Sequence, residues 1–337
     1  MFPFQMLPAA MAAVAGAVLG GRPAPSELGS RDRVMVSGRT YVVTGASSGF
    51  GRGTAERLGS YGAKVVLAAR RGAVLEEVAA RVRALGGQAL VVPTDVSDPE
   101  QVEALARAAL GAFGAIDVWI NDAAVASIGR FEEIPIADHA RMVDVNLKGA
   151  IYGSHVALRQ FRRQGHGVLV NISSVEGDVP LAYHATYAAT KHAMLGLDGA
   201  IRQELRLGGL ERVIRVATIQ PWAVDTPYWV HAGNYTGRLA QTGLMDDPRE
   251  VVDAIVWNSV HPNGPYQVGW KARAAVLGDR IAPRLAERIA GGFVQRTQMD
   301  DAPPGPVTSG NLHRPMAEGT GVEGGIRKRM GADRGGR

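Results

Sequence analysis

The chain has 337 residues, 46% hydrophobic and 20% charged, which is typical of a soluble protein with one large domain or two modest ones. It contains no cysteine, which excludes disulfides, thiolate zinc sites and a cysteine nucleophile and favours a reducing, cytoplasmic setting. Six basic and two acidic residues between Lys271 and Arg296 supply +4 of the formal charge of +5. They do not alternate with a series of aromatic residues, so we expect no nucleic-acid partner.

The first 37 residues form an apolar N-terminal extension. Residues 8–21 are rich in Ala and Gly, and no basic residue precedes them as a secretory signal requires. They are also weakly hydrophobic for a membrane helix, which needs about 20 apolar residues. We interpret this stretch as a floppy extension, or as sequence upstream of a true start at Met35. Contact with a membrane surface through residues 8–21 is the alternative.

From Thr40 onward, short apolar segments alternate with longer segments whose apolar residues recur every three or four positions. The predicted strands are Tyr41–Val43, Lys64–Ala68, Ala89–Val92, Ile116–Ile120, Val168–Ile172 and Val213–Ile219. Such alternation predicts an α/β fold with a doubly wound, Rossmann-type parallel sheet and helices on both faces. We expect a single catalytic domain over residues 38–270.

The C-terminal part follows a different pattern. Residues 271–299 predict a basic amphipathic helical segment docked on the domain, with a break at Pro283. Its apolar face comprises Leu277, Ile281, Leu285 and Ile289. Residues 300–337 are rich in Pro and Gly and poor in apolar side chains, which predicts a disordered tail.

A glycine-rich turn follows the first predicted strand and opens a helix. Residues 44–51 read Thr-Gly-Ala-Ser-Ser-Gly-Phe-Gly, and this context is typical of a dinucleotide site, where phosphate meets the free N–H groups of a helix N-terminus. The same residues satisfy Gly-x-Ser-x-Gly, which would make Ser47 the nucleophile of a serine hydrolase. That alternative lacks a recognisable oxyanion loop and a histidine after a late strand.

The second predicted strand ends in Ala69-Arg70-Arg71. In dinucleotide folds an acidic side chain at this position binds the ribose 2′-hydroxyl, whereas arginine suits a 2′-phosphate. The sequence therefore predicts NADP as the cofactor, with Arg70 binding the phosphate.

Tyr187 and Lys191 lie four residues apart, which on a helix places both side chains on one face. A phenol titrates at about pH 10, and a fixed cation beside it favours the phenolate. The pair predicts a tyrosine with a lowered pKa that acts as an acid or base, although the spacing alone is a weak signal.

Together these motifs resemble the short-chain dehydrogenase/reductase family over residues 38–270. The resemblance implies that the catalytic residues are Ser174, Tyr187, Lys191 and Asn146. It also implies that the cofactor-binding residues are Gly45, Ser47, Ser48, Gly49, Phe50, Gly51, Arg70, Asp95, Val96, Asn121, Ala123, Tyr187, Lys191, Pro221, Val224 and Thr226. Ser173 is the neighbouring candidate for Ser174, and the spacing to Tyr187 favours Ser174.

Two positions depart from the family pattern. The usual Asn-Asn-Ala-Gly reads Asn121-Asp122-Ala123-Ala124, and Trp222 replaces the usual glycine after Pro221. Asp122 adds a charge beside the expected cofactor site, and Trp222 narrows the expected pocket. Neither removes a catalytic group.

The resemblance implies an NADP(H)-dependent oxidoreductase that interconverts a carbonyl compound and an alcohol, without a metal, in a homo-oligomer. Apolar and aromatic residues between Trp222 and Tyr235 favour a hydrophobic substrate. An NADP(H)-binding redox sensor without turnover is the second hypothesis, although such a sensor has no need of a proton relay. The serine hydrolase is the third.

Overall fold

The computed structural model describes residues 24–240 and 244–328. The hypothesis of membrane contact through residues 8–21 lies outside them. The strands are β1 (Thr40–Thr44), β2 (Lys64–Ala69), β3 (Gln88–Pro93), β4 (Val118–Asn121), β5 (Ser127–Ile128), β6 (Gly167–Ile172), β7 (Ile214–Gln220), β8 (Gly233–Asn234) and β9 (Tyr266–Gln267).

Helices connect these strands. They are α1 (Ser30–Val36), α2 (Gly49–Ser60), α3 (Gly72–Ala84), α4 (Pro99–Phe113), α5 (Ile136–Val143), α6 (Gly149–Gln164), α7 (Ala185–Leu207), α8 (Tyr228–His231), α9 (Pro248–Val260), α10 (Gly269–Ile281) and α11 (Pro283–Val294). Local sequence explains several ends. For example, the carboxylate of Asp98 accepts hydrogen bonds from the first-turn amides of α4, Pro99 begins that helix, and Gly114 ends it in a left-handed conformation.

Seven strands form one parallel sheet in the order β3-β2-β1-β4-β6-β7-β9. Alternate residues of β1 point to opposite faces, so Tyr41 and Val43 join the core on one side and Val42 joins the core on the other. Burial on both faces accounts for the continuously apolar strands. The doubly wound Rossmann-type fold predicted from the sequence is confirmed.

The order of strands reverses direction between β1 and β4. The connection after β1 runs to one side of the sheet, and the chain returns past β1 to begin β4. In open parallel sheets this reversal opens a crevice at the carboxyl ends of the strands, where ligands bind. The glycine-rich turn follows β1 at this edge.

The C-terminal helical segment is divided at Ala282, with α10 before it and α11 beginning at Pro283, as expected from the proline. Helix α10 packs on the domain through Ala272 and Val276, which join a small core with Val175 and Val179. The side chains of Ile281, Leu285 and Ile289 on the predicted apolar face are instead exposed. In no part of residues 24–240 or 244–328 is there a helix long and apolar enough to cross a membrane.

Disorder was expected from residue 300, and this expectation was wrong for residues 301–328. They pack against the domain, with the side chains of Leu312 and Ile326 buried. Several of their backbone carbonyls accept hydrogen bonds from arginines of the domain, such as Arg70 and Arg71. Composition does not register such contacts, which explains the error.

Candidate active site

A large cleft of about 2040 Å³ opens at the carboxyl edge of the sheet. Its walls include the turn after β1, the tip of β2, the end of β6, the start of α7 and the loop after β7. Helices α10 and α11 and part of the C-terminal tail complete it. The predicted site residues are thus brought to one cleft from distant parts of the chain, with the exceptions noted below.

The glycine-rich turn depends on close backbone packing. Gly45 has φ +72°, and a Cβ built on it would lie 2.9 Å from the backbone nitrogen of Ala123. A Cβ on Gly51 would lie 2.5 Å from the carbonyl oxygen of Gly45. Any side chain at either position would push α2 away from the strands. Gly51 therefore shapes the turn from behind, while Ser47, Ser48, Gly49 and Phe50 line the cleft.

Thr44 fastens this turn to the end of β4. Its hydroxyl accepts hydrogen bonds from the amides of Asp122 at 3.1 Å and Ala123 at 3.3 Å and donates to the carbonyl of Ile120 at 3.2 Å. The contact holds the β1 and β4 ends together at the point where the sheet order reverses. It thereby sets the floor of the cleft.

Asp122 lies at the cleft beside Lys191. Burial raises the pKa of its carboxyl to about 7, against the opposing effects of the Lys191 ammonium and of the Gly51 amide, which donates to it. The departure from the family pattern thus introduces a group that titrates near neutral pH beside the glycine-rich turn.

Two arginines at the tip of β2 have no carboxylate partner in the described part of the chain. Arg70 donates to the carbonyls of Asn311 and Leu312, and Arg71 donates to Ser47 and to the carbonyls of Met316 and Glu318. Burial and a neighbouring guanidinium lower the pKa of each. The Asp95 carboxylate opposes this lowering at Arg70 but forms no salt bridge with it. Half-buried cations outside any salt bridge could hold a phosphate. Sequence reasoning assigned this role to Arg70 alone, although Arg71 is its direct neighbour.

Asp95 and Val96 lie in the cleft wall after β3. The Asp95 carboxylate is already bound by Ser97 and by the guanidinium of Arg141 at 2.6 Å, and these hydrogen bonds outweigh burial and lower its pKa. Arg141 was missed from the sequence, because it lies in α5, far along the chain from Asp95.

Asn121, predicted to bind the cofactor, does not line the cleft, and its side chain is hydrogen-bonded within the protein. Its carbonyl accepts from Trp119 Nε1 at 2.7 Å, and its amide donates to Asn171 Oδ1 at 2.8 Å. Asn171 in turn donates to Asp198. This buried polar network ties β4, β6 and α7 together below the cleft, so the role of Asn121 is structural.

The structure separates the two serines that follow β6. The Ser173 hydroxyl donates to the carbonyl of Lys191 at 3.0 Å and so fastens α7 to the strand. The Ser174 hydroxyl accepts from the Glu176 amide at 3.1 Å and also lies within hydrogen-bonding reach of the Tyr187 phenol. Of the two serines, Ser174 is therefore the one positioned to share a ligand atom with Tyr187.

Tyr187 lies in the first turns of α7, and its ring meets that of Tyr228 edge to face, with 5.6 Å between centroids. The expected lowering of its pKa was wrong for the protein alone. Burial and the nearby Glu176 carboxylate raise the pKa of the phenol above its usual value, against hydrogen bonds to Ser174 and Tyr228. Sequence reasoning missed Tyr228, which begins the short helix α8 and belongs to no recognised motif.

Lys191 is buried one turn further along α7. Its ammonium donates to the carbonyl of Ile172 at 2.7 Å and lies 5.5 Å from the centroid of the Tyr187 ring. Burial lowers the pKa of Lys191 to about 8, against the opposing effects of Asp122 and Glu176. The strand carbonyl thus fixes the ammonium between the phenol and the glycine-rich turn.

Asn146 lies in a π-helical turn, Asp144–Lys148, between α5 and α6. Its side chain donates to the carbonyl of Val125 and accepts from the amide of Val125, both at 2.8 Å, and also donates to Thr190. A π-helical turn interrupts the regular hydrogen-bonding pattern and is frequent at functional sites. Asn146 itself does not line the cleft, and it positions Val125, which does.

A buried polar cluster beside Tyr187 was also missed. Imidazole Nδ1 of His184 lies 3.1 Å from Glu176 Oε1, and Nε2 lies 3.1 Å from Gln298 Oε1. Glu176 and Gln298 raise the pKa of His184 despite its burial. The three residues come from separate elements, so their spacing carries no signal.

The loop after β7 contributes Pro221, Val224 and Thr226 to the cleft. The end of the cleft that holds Ser174 and Tyr187 is here called the reaction end. Trp222 packs against Val175 and α10, and its indole N–H has no hydrogen-bond partner within residues 24–240 and 244–328. It narrows the cleft, as its replacement of glycine predicted.

The arrangement around Ser47 is unsuited to a serine nucleophile. The Ser47 hydroxyl accepts from Arg71, and no histidine of residues 24–240 and 244–328 bonds to it. Nor do three or more His, Asp or Glu side chains of those residues come together as a metal site would require.

Residues 39–234 match the sequence profile of the family described as short chain dehydrogenase. The uncharacterized oxidoreductase YxnA of Bacillus subtilis (strain 168) is 34% identical over 278 residues, which are 82% of this chain and 78% of that protein. The 3beta-hydroxysteroid dehydrogenase 1 of Eggerthella lenta is 36% identical over 236 residues, 66% of this chain and 87% of that protein.

Two solved structures share the fold. An alcohol dehydrogenase from the archaeon Thermococcus sibiricus, complexed with 5-hydroxy-NADP, superposes with a TM-score of 0.59 at 25% identity and covers 68% of this chain and 95% of its own. A 3-ketoacyl-(acyl-carrier-protein) reductase from Brucella melitensis, complexed with NADH, gives 0.60 at 27% identity, with coverage of 69% and 96%. With the seven-stranded sheet and the cleft described above, these similarities show that the chain belongs to the short-chain dehydrogenase family of oxidoreductases.

Proposed function

We propose that this protein is an NADP(H)-dependent oxidoreductase that interconverts a carbonyl compound and an alcohol by hydride transfer. One observation carries the proposal: a single continuous cleft holds two arginines without carboxylate partners at one end and the Tyr187–Ser174 pair at the other. The first end suits a phosphate, and the second suits proton transfer to an oxygen.

The residues present fit such a cofactor. Gly45 and Gly51 let the backbone of the glycine-rich turn approach a ligand, and the N-terminus of α2 offers its partial positive charge to a pyrophosphate. The Gly49 amide donates to Gly321 and the Gly51 amide donates to Asp122, so the charge of the helix end contributes more than these two amides. Arg70 and Arg71 would hold the 2′-phosphate, and Val224 and Thr226 would flank the nicotinamide. This distribution of donors favours NADP(H) over NAD(H).

When bound, the reduced nicotinamide supplies the hydride for the carbonyl carbon. Tyr187 donates its phenolic proton to the carbonyl oxygen, which completes the alcohol, and Ser174 donates a hydrogen bond that holds that oxygen in place. In the reverse direction the Tyr187 phenolate accepts the proton of the alcohol. The raised pKa of the phenol keeps Tyr187 protonated at neutral pH, the form that reduction requires.

Lys191 and Asn146 support the proton transfer. Lys191 is held by Ile172 and has further N–H groups free to bind a ribose hydroxyl, and its positive charge stabilises the Tyr187 phenolate as it forms. The side chain of Asn146 bonds both the amide and the carbonyl of Val125, and so fixes the backbone of a residue that lines the cleft. We assign Asn146 a positioning role in returning a proton to Tyr187.

The walls of the reaction end are largely apolar. Trp222, Tyr228 and Phe293 line it, together with the aliphatic residues of α10 and α11. Such a surface favours a hydrophobic aldehyde or ketone.

The test is to mix purified full-length protein with NADPH or NADH and a panel of aliphatic, aromatic and polycyclic aldehydes and ketones. We expect loss of reduced-nicotinamide absorbance with NADPH and with apolar carbonyl compounds, and none in the Tyr187→Phe variant. NADPH binding without turnover across the panel would instead favour a redox sensor. Equal activity in Tyr187→Phe would overturn the mechanism.

A further inference from the structure

Residues 308–328, here named the C-terminal strap, cross the mouth of the cleft at its phosphate end. Thr308 pairs with Asn234 of β8 in an antiparallel bridge. At the other end, the Asp225 carboxylate accepts hydrogen bonds from the amides of Ile326 at 2.9 Å and Arg327 at 3.1 Å. Both ends of the strap are thus fastened to segments that border the reaction site.

The middle of the strap orients the two arginines that have no carboxylate partner. Arg70 donates to the carbonyls of Asn311 at 2.6 Å and Leu312 at 3.1 Å. Arg71 donates to those of Met316 at 3.1 Å and Glu318 at 3.2 Å. A carbonyl fixes the direction of a guanidinium without neutralising its charge, and the Asp95 carboxylate offsets only part of the charge of Arg70. The arginines are therefore held in place and still able to attract an anion.

The strap also reaches the N-terminus of α2. The carbonyl of Gly321 accepts from the Gly49 amide at 2.9 Å, and that of Thr320 accepts from Arg52 at 2.9 Å. These contacts place the strap along the outer side of the phosphate-binding turn, while Phe50 continues to line the cleft.

The strap forms a wall of the cleft and does not fill it. Asn311, Pro315 and Met316 line the open volume. The side-chain oxygen of Asn311 is buried and has no hydrogen-bond partner in the described residues. A buried acceptor without a donor is costly, and a hydroxyl or amino group of a bound nucleoside would satisfy it.

We propose that the strap is part of the cofactor site. It holds Arg70 and Arg71 toward the 2′-phosphate and covers the adenosine end of the dinucleotide, so that NADP(H) enters and leaves only when the strap lifts. This inference rests on the proposed NADP(H) dependence. It adds a binding element for which the sequence carries no recognised motif.

Two glycines of the strap provide a matched pair of variants. A Cβ on Gly324 would lie 2.4 Å from the carbonyl oxygen and 2.7 Å from the carbonyl carbon of Thr226, and these backbone atoms cannot yield easily. A Cβ on Gly321 would have its nearest contact at 3.4 Å, an ordinary van der Waals distance. Gly324→Ala should therefore displace the strap, and Gly321→Ala should leave it docked.

The measurement is the dissociation rate of NADPH, followed by its fluorescence after mixing the loaded full-length protein with excess NADP⁺. We expect dissociation at least about tenfold faster from Gly324→Ala than from Gly321→Ala, with a weaker effect on NADH. Equal rates would overturn the inference. Tighter or slower-dissociating NADPH in Gly324→Ala would also overturn it, because the strap would then compete with the cofactor. If the parent protein binds NADH but not NADPH, the proposed cofactor is wrong. The dissociation rates of NADH from the two variants then still test whether the strap covers the bound dinucleotide.

A reversible lock gives a second test that does not require displacing the strap. A Cβ on Gly53 would lie 3.2 Å from Cγ1 of Val322, and the chain has no cysteine of its own. The same Cβ would lie 2.7 Å from Cγ2 of Val252, a side-chain methyl that must shift to make room, and the single variant Gly53→Cys measures the effect of that shift. In the double variant Gly53→Cys, Val322→Cys we expect oxidation to slow NADPH association at least about tenfold and a reductant to restore it. Unchanged association in the oxidised protein would contradict a strap that must lift. The single cysteine variants are the controls.

Discussion

Two regions build the cleft in different ways. The segments from β1 to the loop after β7 contribute side chains and glycines at fixed spacings, such as the turn of residues 44–51 and the Tyr187–Lys191 pair. The C-terminal region, residues 269–328, contributes backbone carbonyls and apolar surface. Carbonyls are present at every residue, so the second region can cover the site without a sequence motif.

The comparison separates two tasks: side chains of the first region are placed to react with a ligand, and the C-terminal region encloses the ligand. Proton transfer needs particular side chains, and these lie in the first region. Enclosing a ligand needs shape and acceptors, which many sequences can supply. The predictions below separate the two contributions, from the largest expected effect to the smallest.

Tyr187→Phe should have the largest effect, because it removes the phenol that we propose as the proton donor. We expect turnover to fall by about 10³-fold, within the range for loss of an acid or base. NADPH affinity should remain unchanged, since the ring is retained. The control is Tyr183→Phe, which removes a phenol bonded to Gln295 outside this site. A near-normal rate in Tyr187→Phe would refute the assignment.

Arg70→Ala should weaken binding of NADPH and leave kcat unchanged. Loss of a charge-assisted contact to phosphate should raise KM for NADPH about 10- to 100-fold, with little change for NADH. Arg107→Ala, at an exposed arginine of α4, is the matched control. If KM rises equally for the two cofactors, Arg70 has no selective role toward the 2′-phosphate.

Asp122→Asn should change how stability depends on pH. Burial raises the pKa of Asp122 in the folded protein to about 7, above the ordinary value of 3.8 for an aspartate, so the folded protein binds more protons between these two pH values. The contribution of Asp122 to stability is present at low pH and is lost as pH rises through 7. Asparagine does not titrate and so lacks this loss.

The measurement for Asp122→Asn is the free energy of unfolding from urea curves at pH 4.5, 6 and 7.5. Relative to the parent, the variant should gain about 1–2 kcal/mol between the lowest and highest pH. This is less than the full shift implies, because the carboxyl borders the open cleft. A difference that stays constant with pH would contradict the raised pKa.

Phe293→Ala should have the smallest effect, because it removes part of an apolar wall and no polar contact. We expect KM for an apolar carbonyl substrate to rise severalfold, with kcat and KM for NADPH unchanged. Leu207→Ala, at an exposed leucine remote from the cleft, is the control. Loss of NADPH binding in Phe293→Ala would show that α11 shapes the cofactor end as well.

The fold could be predicted because burial determines the pattern of apolar residues along the chain. Strands buried on both faces are continuously apolar, and helices buried on one face have an apolar residue every three or four positions. Ser174 could be chosen over Ser173 from its distance to Tyr187, and hydrogen bonding now gives Ser173 the role of fastening α7 to the strand. The hydrogen bond from the Asn121 amide to Asn171 below the cleft could not be predicted, because only packing brings β4 and β6 together. The predicted lowering of the Tyr187 pKa was wrong for a similar reason. The four-residue spacing shows that a lysine lies nearby, but it shows neither the burial of the phenol nor the proximity of the Glu176 carboxylate.

The sequence by itself determined the alternating architecture, the position of the glycine-rich turn and the Tyr187–Lys191 pair, because each depends on neighbours along the chain. The tertiary structure alone decided what covers the site. Arg70 and Arg71 meet the strap across more than 240 positions, through carbonyls that any residue could provide. A hydrogen bond to a backbone carbonyl depends on no particular side chain, so neither composition nor spacing predicts it. Only the folded structure shows which carbonyls the arginines reach.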